Sequence, residues 1–596
     1  MDLLGFLSLI GGLALFLYGM EVMGKGLTNL SGGRMEALLS KLTSGRLSAV
    51  FLGLAVTAVI QSSSATTVMV VGFVNSGIMG LTQAAGVIMG ANIGTTVTAW
   101  LISLAGIESD GLFLQLLKPS TFSPVLAAAG VVMILFSKSK KKNDIGTILI
   151  GFAVLMYGME TMSGSVEPLA DDPTFTHLMT AFTNPILGVI AGAVLTGIIQ
   201  SSSASVGILQ ALCLTGTVPY SVAIPVIMGQ NIGTCVTALI SAIGASKNAK
   251  RAAMIHLYFN LIGVIIISAV FYVLNSVFSF DFLNEMATAS GIAVFHSLFN
   301  VTVTVMLFPF LNQLVRLAAW TVKDSKEDTP AVTDSDLALL DERFLNQPAV
   351  AVEQGHEVLL KMARKSMDAI HISLELFENY NPGTSSEVEK LENDTDHYED
   401  VLGTYLVRAS ERELSAKDSE RISVYLQNIG DLERIADHAI NLVHSFAEMN
   451  QKKLSFSDQA RSEIGVIINA VNEVTTLTLN AMTDNNLDEL SDIEPLEQVI
   501  DYLTRTIREH HIVRLREGKC TMELGYILAD ITTNLERVSD HCSNLASSMI
   551  MADNGGYDTH EYLTRYKQTS NEEFTQRYKK MSDKYSLENS LTNLKS

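Results

Sequence analysis

Two kinds of polar block recur in this chain inside otherwise apolar sequence. The block Gln-Ser-Ser-Ser occurs at 61–64 and again at 200–203, and the block at 89–99 returns at 228–238. Both pairs are separated by the same offset, which indicates that one unit has been duplicated without a net gap. Hydroxyl and amide groups placed this way suit a small polar solute that binds inside a membrane.

The serines of each block are predicted to open a helix. A helix N-terminus presents unpaired N–H groups and a partial positive charge, so it can bind an anion without a cationic side chain. Hydroxyl, amide and freed carbonyl oxygens also suit Na⁺, which would supply the countercharge that a buried anion needs. The predicted substrate and ion ligands are Gln61, Ser62, Ser63, Ser64, Thr66, Asn92, Thr95, Gln200, Ser201, Ser202, Ser203, Asn231 and Thr234.

The segments that carry the serine blocks have an unusual length for membrane sequence. Residues 48–80 contain no charge and would form a helix of about 50 Å, against about 30 Å of hydrocarbon. That is too long for one span and too short for two, and 186–218 poses the same problem. We therefore expect two re-entrant hairpins with the serine blocks at their tips, since irregular backbone is tolerated there if it lines a cavity.

Counting each hairpin as no crossing gives three spans per repeat, in about 1–137 and 140–275, and a final span at 291–318. An odd number of spans turns the second repeat upside down, so the hairpins enter from opposite faces and their tips can meet. Lys and Arg collect on one side, at 25–46, 138–142 and 247–251, which the positive-inside rule makes cytoplasmic. The N-terminus is then outside and the C-terminal region cytoplasmic, in a multi-pass protein of the cell membrane.

A plainer explanation of the polar blocks is helix packing. Ser, Thr and Gly in membrane helices often only permit close approach and interhelical hydrogen bonds. Two identical serine triplets, each preceded by Gln and each in a half-length segment, favour a binding site over packing alone.

The duplicated QSSS motif resembles that of the type II sodium–phosphate cotransporters, over about residues 1–318. The resemblance implies a polytopic membrane domain of inverted repeats that moves inorganic phosphate with Na⁺ by alternating access. It also assigns the two Gln-Ser-Ser-Ser blocks to the phosphate and sodium sites. Which residue holds which ion, the transport direction and the stoichiometry stay open.

The rest of the chain has a different character. The net charge is −21, and all of this negative excess lies after residue 320, since residues 1–320 are nearly neutral; such acidity disfavours nucleic acid as a partner. A polar linker at 321–336 precedes long amphipathic periodicity at 337–551, which predicts a helical bundle, and 552–596 is a polar tail. The four cysteines form no metal-binding or disulfide pattern.

Carboxylates repeat within this bundle. The sequence Leu-Glu-Arg-x-x-Asp-His occurs at 432–438 and 535–541, and Glu-x-x-x-Asp pairs lie at 392–396 and 497–501. These features resemble the PhoU-like domain, two tandem three-helix bundles that can bind iron or zinc clusters. The resemblance implies a metal site formed by Glu392, Asp396, Glu433, Asp437, Glu497, Asp501, Glu536 and Asp540. The alternative is an exposed acidic face paired with neighbouring Arg.

Together these features predict an all-α membrane transporter rather than an enzyme, with a cytoplasmic regulatory bundle. Its expected partners are inorganic phosphate, Na⁺ and the lipid bilayer, with a homodimer as one oligomeric alternative. Two rivals remain: a transporter of another oxyanion or small carboxylate, and a membrane-anchored metal-binding phosphate sensor or phosphohydrolase.

Overall fold

The computed structural model describes residues 3–31, 45–106, 119–169, 182–323, 336–412, 414–484, 487–554 and 572–587. Within these ranges the regular elements are helices, and extended pairing is limited to one isolated bridge between Pro219 and Met286. The predicted all-α fold class is confirmed.

The chain divides into two compact units. The first comprises Met1–Thr333 and Asp341–Val350, and the second comprises Asp334–Leu340 and Ala351–Ser596. The first unit thus takes in a short segment from beyond the predicted linker. That linker, at 321–336, lies mostly outside the described residues, so the predicted domain boundaries stay predictions.

Within the described residues, the first repeat of the first unit, here named the membrane unit, has five helices. They are α1 (Leu3–Ser31), α2 (Arg46–Ile60), α3 (Ser63–Asn75), α4 (Leu81–Ser103) and α5 (Pro119–Phe136). The second repeat follows the same order, with its fourth element divided in two. Its helices are α6 (Lys140–Val166), α7 (Pro185–Ile199), α8 (Ser202–Cys213), α9 (Tyr220–Gly233), α10 (Cys235–Ser241) and α11 (Lys247–Phe278).

Two further helices, α12 (Ala289–Leu307) and α13 (Leu311–Thr321), end the membrane unit. Six helical stretches in the described ranges are long and apolar enough to cross a membrane. They correspond to α1, α4, α6, α9 with α10, α11, and α12 with α13. The third span predicted for the first repeat falls on α5, which is a shorter apolar helix, and the two hairpins consist of short helices as expected.

Each serine block divides its hairpin into two half-helices. Gln61 and Gln200 end the first half-helices with left-handed backbone, at φ 59° and φ 57°. Ser62 and Ser201 then extend the chain and cap the second half-helices. At 1.5 Å per residue the 13 residues of α3 span about 20 Å, so a half-helix reaches only part-way through a bilayer.

Glycines let each hairpin lie very close to the helix that follows it. A Cβ added at Gly90 in α4 would lie 1.9 Å from the Val50 carbonyl oxygen in α2. The second repeat has the same contact, with a Cβ at Gly229 1.9 Å from the Val189 carbonyl oxygen. The polar blocks of α4 and α9 are therefore held directly against the hairpins.

The second unit is a bundle of long helices. They are α14 (Pro348–Glu375), α15 (Pro382–Ser410), α16 (Ala416–Lys452), α17 (Asp458–Asp484), α18 (Leu487–Arg516) and α19 (Met522–Asn554). The predicted polar tail contains one more helix, α20 (Glu572–Lys584), which is tied to α18 by an ion pair between Arg577 and Asp492 of 2.6 Å. The remaining tail residues, 555–571 and 588–596, lie outside the described residues.

Candidate functional site

The tips of the two hairpins meet. The hydroxyl oxygens of Ser63 and Ser202, equivalent residues of the two repeats, are 3.3 Å apart. The Ser64 hydroxyl donates to the Gln200 carbonyl oxygen at 3.3 Å. The amino ends of α3 and α8 therefore converge at one place, as the inverted repeats predicted.

The capping serines account for the start of both half-helices. The Ser62 hydroxyl oxygen accepts from the Ala65 backbone N–H at 3.2 Å, and Ser201 accepts from Ala204 at the same distance. The first N–H groups of a helix have no partner within the helix. The N–H donors of two helix starts converge at the hairpin tips, and such donors can bind the oxygens of an oxyanion.

The two glutamines differ although the sequence around them is duplicated. Gln61 is buried, and its side-chain oxygen accepts from the Thr98 hydroxyl at 2.9 Å. Gln200 is exposed instead. Thr237, the equivalent of Thr98, has a buried hydroxyl with no hydrogen-bond partner among the described residues. The first repeat thus encloses the side chain of Gln61, whereas the second repeat leaves the side chain of Gln200 exposed.

The Asn and Thr residues predicted from the second polar block lie buried beside the hairpins. The Asn92 and Asn231 amides donate to carbonyl oxygens of their own helices, at 2.8 and 2.9 Å. Thr95 and Thr234 do the same with their hydroxyls, at 3.0 and 2.6 Å. Each Asn therefore keeps its side-chain oxygen as the atom that it could offer to a cation.

Five polar residues near the tips were not predicted as site residues. Thr57 donates to Thr66 at 3.0 Å, and Thr196 donates to Ser205 at 2.7 Å. The fourth is Gln230, whose amide donates to the Ser205 carbonyl oxygen at 2.9 Å. The constant offset relates Thr57 to Thr196 and would have identified that pair.

Thr98, described above, is the fifth of these residues, and its hydroxyl contacts the predicted ligand Gln61. It lies in the duplicated block at 89–99, so the repeat could have identified it too. Together the predicted and added residues form a set of neutral hydroxyls and amides.

The second unit brings five of the eight predicted carboxylates into two clusters. In one, carboxylate oxygens of Asp396, Glu399 and Glu433 lie within 4.8 Å of one another. In the other, those of Glu497, Asp501 and Asp540 do so. This spacing allows a metal ion to bind oxygen ligands from two helices in each cluster.

Glu399 was not predicted as a ligand, although it lies one helical turn after Asp396. Glu536, which was predicted, instead faces Arg508, with 3.8 Å between the charged atoms. It is not in the cluster formed by its neighbours, so the structure favours the ion-pair alternative for this residue.

Burial and repulsion between carboxylates raise pKa values in and beside the first cluster. Burial, Asp437 and Glu399 together raise the pKa of Glu433 to about 7. Burial, Asp437 and Asp396 also raise the pKa of Glu392. Glu392 and Asp437 are thus electrostatic neighbours of the cluster, and a cation would relieve the crowding of negative charge.

Comparison of the chain with models of known protein families finds a match in each of the two units. A model described as Na⁺/Pi-cotransporter matches residues 15–164 and again 154–284, one match for each repeat. A model described as PhoU domain matches residues 359–445 and 466–549. A Bacillus subtilis protein, "Uncharacterized protein YqeW", is 30% identical over 266 residues, which are 44% of this chain and 81% of that protein.

The chain belongs to the Na⁺/Pi-cotransporter family. Over 553 residues it is 22% identical to the Salmonella typhimurium protein "Putative inorganic phosphate export protein YjbB", covering 92% of this chain and 98% of that one. A rat protein, "Sodium-dependent phosphate transport protein 2A", is 31% identical over 144 residues, 22% of this chain and 23% of the relative.

Membership in the Na⁺/Pi-cotransporter family confirms the resemblance stated from the QSSS motif. The family supports phosphate transport for the membrane unit, and the second unit contains the PhoU domain. The individual ligand roles of the site residues stay predictions.

Proposed function

We propose that this chain moves inorganic phosphate together with Na⁺ across the cell membrane by alternating access, under the control of its PhoU domain. The observation that carries the proposal is the contact between Ser63 and Ser202, where two helix N-termini from inverted repeats converge. Binding of a small anion for transport explains why both polar blocks are duplicated and then brought together.

The phosphate would bind between the two tips. Backbone N–H groups and hydroxyls at the starts of α3 and α8 would donate to its oxygens, and the partial positive charge of both helix ends would stabilise it. A site of neutral donors holds its anion less firmly than one with Arg or Lys, which favours release during transport.

Sodium would supply the missing positive charge. An anion in a low-dielectric site is costly without a countercharge, so binding of Na⁺ and phosphate would each strengthen the other. The side-chain oxygens of Asn92 and Asn231, together with the hydroxyls around them, are the ligands of the type that Na⁺ prefers.

The difference between the two glutamines would be the basis of alternating access. In this state Gln61 is buried against Thr98, while Gln200 is exposed and the Thr237 hydroxyl lacks a described partner. If the repeats exchange these conformations, Gln200 closes on Thr237 and Gln61 opens. The site would then face the other side of the membrane.

We further propose that the N-terminus is outside and the PhoU domain is cytoplasmic. Arg251, at the start of α11, donates to the Val322 carbonyl oxygen at 2.9 and 3.0 Å. The end of the membrane unit therefore lies on the same side as a basic cluster, which the positive-inside rule makes cytoplasmic. Labelling of single cysteines near residues 140 and 285 in intact cells tests this orientation.

The direct test is flux of labelled phosphate into proteoliposomes that contain the full chain. Uptake should require an inward Na⁺ gradient and should fail with K⁺ in its place. The Ser63→Ala and Ser202→Ala variants should both lose uptake, while Ser276→Ala, at an exposed position late in α11, should keep it. Equal uptake in Na⁺ and K⁺ would refute sodium coupling.

A competition assay separates phosphate from other anions. Neutral donors select an anion by size and charge, so arsenate should compete with labelled phosphate, while sulfate and succinate should not. Inhibition by sulfate at the same concentration as arsenate would favour a general oxyanion transporter.

For the PhoU domain we propose metal binding at the two carboxylate clusters, with iron or zinc as the ion. The raised pKa of Glu433 and the 4.8 Å spacing support this proposal. Metal analysis of the purified full chain tests it. Hydrolysis of phosphate esters by the metal-loaded chain would favour the phosphohydrolase rival.

A further inference from the structure

A short segment that follows the linker in sequence lies against α3, the second half-helix of the first hairpin. Residues 341–346, here named the strap, form a single 3₁₀ turn that Asp341 caps by accepting from the Arg343 N–H at 2.9 Å. The strap belongs to the membrane unit, although it follows the linker in sequence.

Phe344 anchors the strap to α3. Its side chain is fully buried, and its ring lies 5.1 Å from that of Phe73. The ring also covers Gly72, where an added Cβ would lie only 2.7 Å from the Phe344 Cε1 atom. The glycine thus creates the space that the aromatic ring fills.

Polar contacts extend this anchor to the second repeat. Asn75, at the end of α3, donates to the Asp341 carboxylate at 2.7 Å and accepts from the Ser246 N–H at 2.8 Å. Arg343 pairs with Asp341 at 3.0 Å and donates to the Ser241 carbonyl oxygen at 3.4 Å. The strap therefore joins the first hairpin to the end of α10 and the start of α11.

Both joined elements lead directly to the predicted site. The helix α3 begins at the hairpin tip, and α10 begins immediately after Thr234. Movement of one repeat against the other must change the distance between these elements. A segment that joins them resists that movement.

The duplicated hairpin has no equivalent seat for a strap. The residues that receive it, Gly72, Phe73 and Asn75, are replaced in the second repeat by Ala211, Leu212 and Leu214. Packing of an ordinary hairpin does not need the Gly-Phe-x-Asn pattern, because the second hairpin forms without it. The pattern is therefore best explained by the strap itself.

Both ends of the strap continue into the PhoU-containing unit. Before it, Asp336 accepts from Lys361 at 2.7 Å and from Tyr398 at 3.1 Å, all within that unit. After it, α14 begins with Pro348 in the membrane unit and continues into the second unit. A rearrangement of the second unit would consequently pull on the strap from both sides.

We propose that the strap is an intramolecular brake on transport. When docked, it holds the first hairpin against α10 and α11 and stabilises one state of the cycle. Transport requires it to yield, and the PhoU-containing unit sets how firmly it is held. The test of this proposal by phosphate flux depends on the proposed transport function, whereas the test by hydrogen exchange does not.

The first experiment removes the brake without removing buried apolar surface. The variant Gly72→Ala should displace Phe344 by steric overlap, while alanine is a better helix former than glycine and does not weaken α3 itself. We expect several-fold faster phosphate flux in proteoliposomes and about tenfold faster hydrogen exchange at residues 62–76, since local opening controls exchange. Gly164→Ala in α6, where a Cβ meets nothing within 4 Å, is the matched control.

A second variant checks that the effect passes through the ring. Phe344→Ala should also raise flux and exchange, and adding it to Gly72→Ala should change neither any further, because the ring is already displaced. Tyr526→Ala, at an aromatic residue that is 70% exposed, controls for loss of an aromatic side chain. Slower or unchanged flux in a folded Gly72→Ala protein would overturn the proposal.

The third experiment locks the brake. Asn75→Cys and Asp341→Cys are combined in a Cys520→Ser background, because the other three native cysteines are buried. A short, reducible thiosulfonate cross-linker should lower flux at least several-fold, and reduction should restore it. Normal flux in protein shown to be cross-linked would refute the brake. Lack of flux in the unmodified chain would instead refute phosphate transport, while hydrogen exchange would still test the strap.

Discussion

Substituting Thr237 by valine tests alternating access at a single hydroxyl. In this state the Thr237 hydroxyl is buried without a described partner, whereas its equivalent Thr98 donates to Gln61 at 2.9 Å. If the repeats exchange conformations, Thr237 donates to Gln200 in the opposite state. The same substitution therefore acts with opposite sign on the two states.

The magnitude follows from the hydrogen bond in each state. An unsatisfied buried hydroxyl costs about 1–3 kcal/mol, so its removal stabilises the present state by about 1 kcal/mol or more. Removal of a hydrogen bond destabilises the opposite state by about 1 kcal/mol. The equilibrium between the states should shift by about 2 kcal/mol, which is roughly 30-fold.

Flux and thermal stability are the two measurements. Thr237→Val should raise the melting temperature of the detergent-solubilised chain and lower phosphate flux, because one state of the cycle becomes too stable. Thr98→Val should lower both. The control is Thr304→Val in α12, which also removes a buried hydroxyl without a described partner. It should raise the melting temperature and leave flux unchanged.

Two results would refute this reasoning. A lower melting temperature for Thr237→Val would mean that its hydroxyl is already satisfied in the resting protein. A normal flux at a raised melting temperature would mean that no second state needs this hydroxyl.

Three further predictions concern packing, metal and pH. Gly90→Ala places a Cβ 1.9 Å from the Val50 carbonyl oxygen, where an ordinary contact is 3.4 Å or more. The helices α2 and α4 must then separate by about 1.5 Å, and phosphate flux should fall about 100-fold. The control variant Gly164→Ala should retain normal flux. Glu433→Gln should lower the metal bound per chain by elemental analysis, while Glu536→Gln, outside the clusters, should not. Burial lowers the pKa of His371 in the folded protein, so unfolding takes up a proton at this residue when the pH is below its unfolded pKa. The stability that His371 contributes is therefore complete above the unfolded pKa and is lost as the pH falls. The urea midpoint of the second unit should decrease between about pH 7.5 and about pH 5.5, and it should decrease less in His371→Gln.

Much of the fold could be predicted because the duplicated sequence contains strong physical signals. Uncharged segments too long for one span and too short for two predicted the hairpins. An odd number of spans per repeat predicted that the second repeat is inverted, and the meeting of the hairpin tips followed from that inversion. The glycine contacts at Gly90 and Gly229 were not predicted, since a glycine in a helix does not reveal which backbone approaches it.

The parts that were missed depend on tertiary structure or on conformational state. A constant offset implies that the two repeats are equivalent, but in any one state of a transporter the repeats differ in conformation. Gln61 is buried and Gln200 is exposed, and the sequence does not predict that difference. Glu399 was missed because the motif was defined as Glu-x-x-x-Asp, which ends at Asp396, one helical turn before Glu399 on the same helix. The strap was missed because its seat in α3 and Phe344 are more than 250 residues apart.

A brake on one hairpin does not set the direction of transport. By docking in one state it lowers the population of the other, and so it slows the cycle equally in both directions. Net direction follows from the phosphate and sodium gradients and from the charge that moves, at about 2.3 kcal/mol per charge for every 100 mV. The second unit could therefore limit phosphate flux without any change to the binding site, because the strap acts at the far end of the half-helix from Ser63. Regulation and substrate recognition would then be separable by mutation, with Gly72 altering the rate of transport and Ser63 altering the affinity for phosphate.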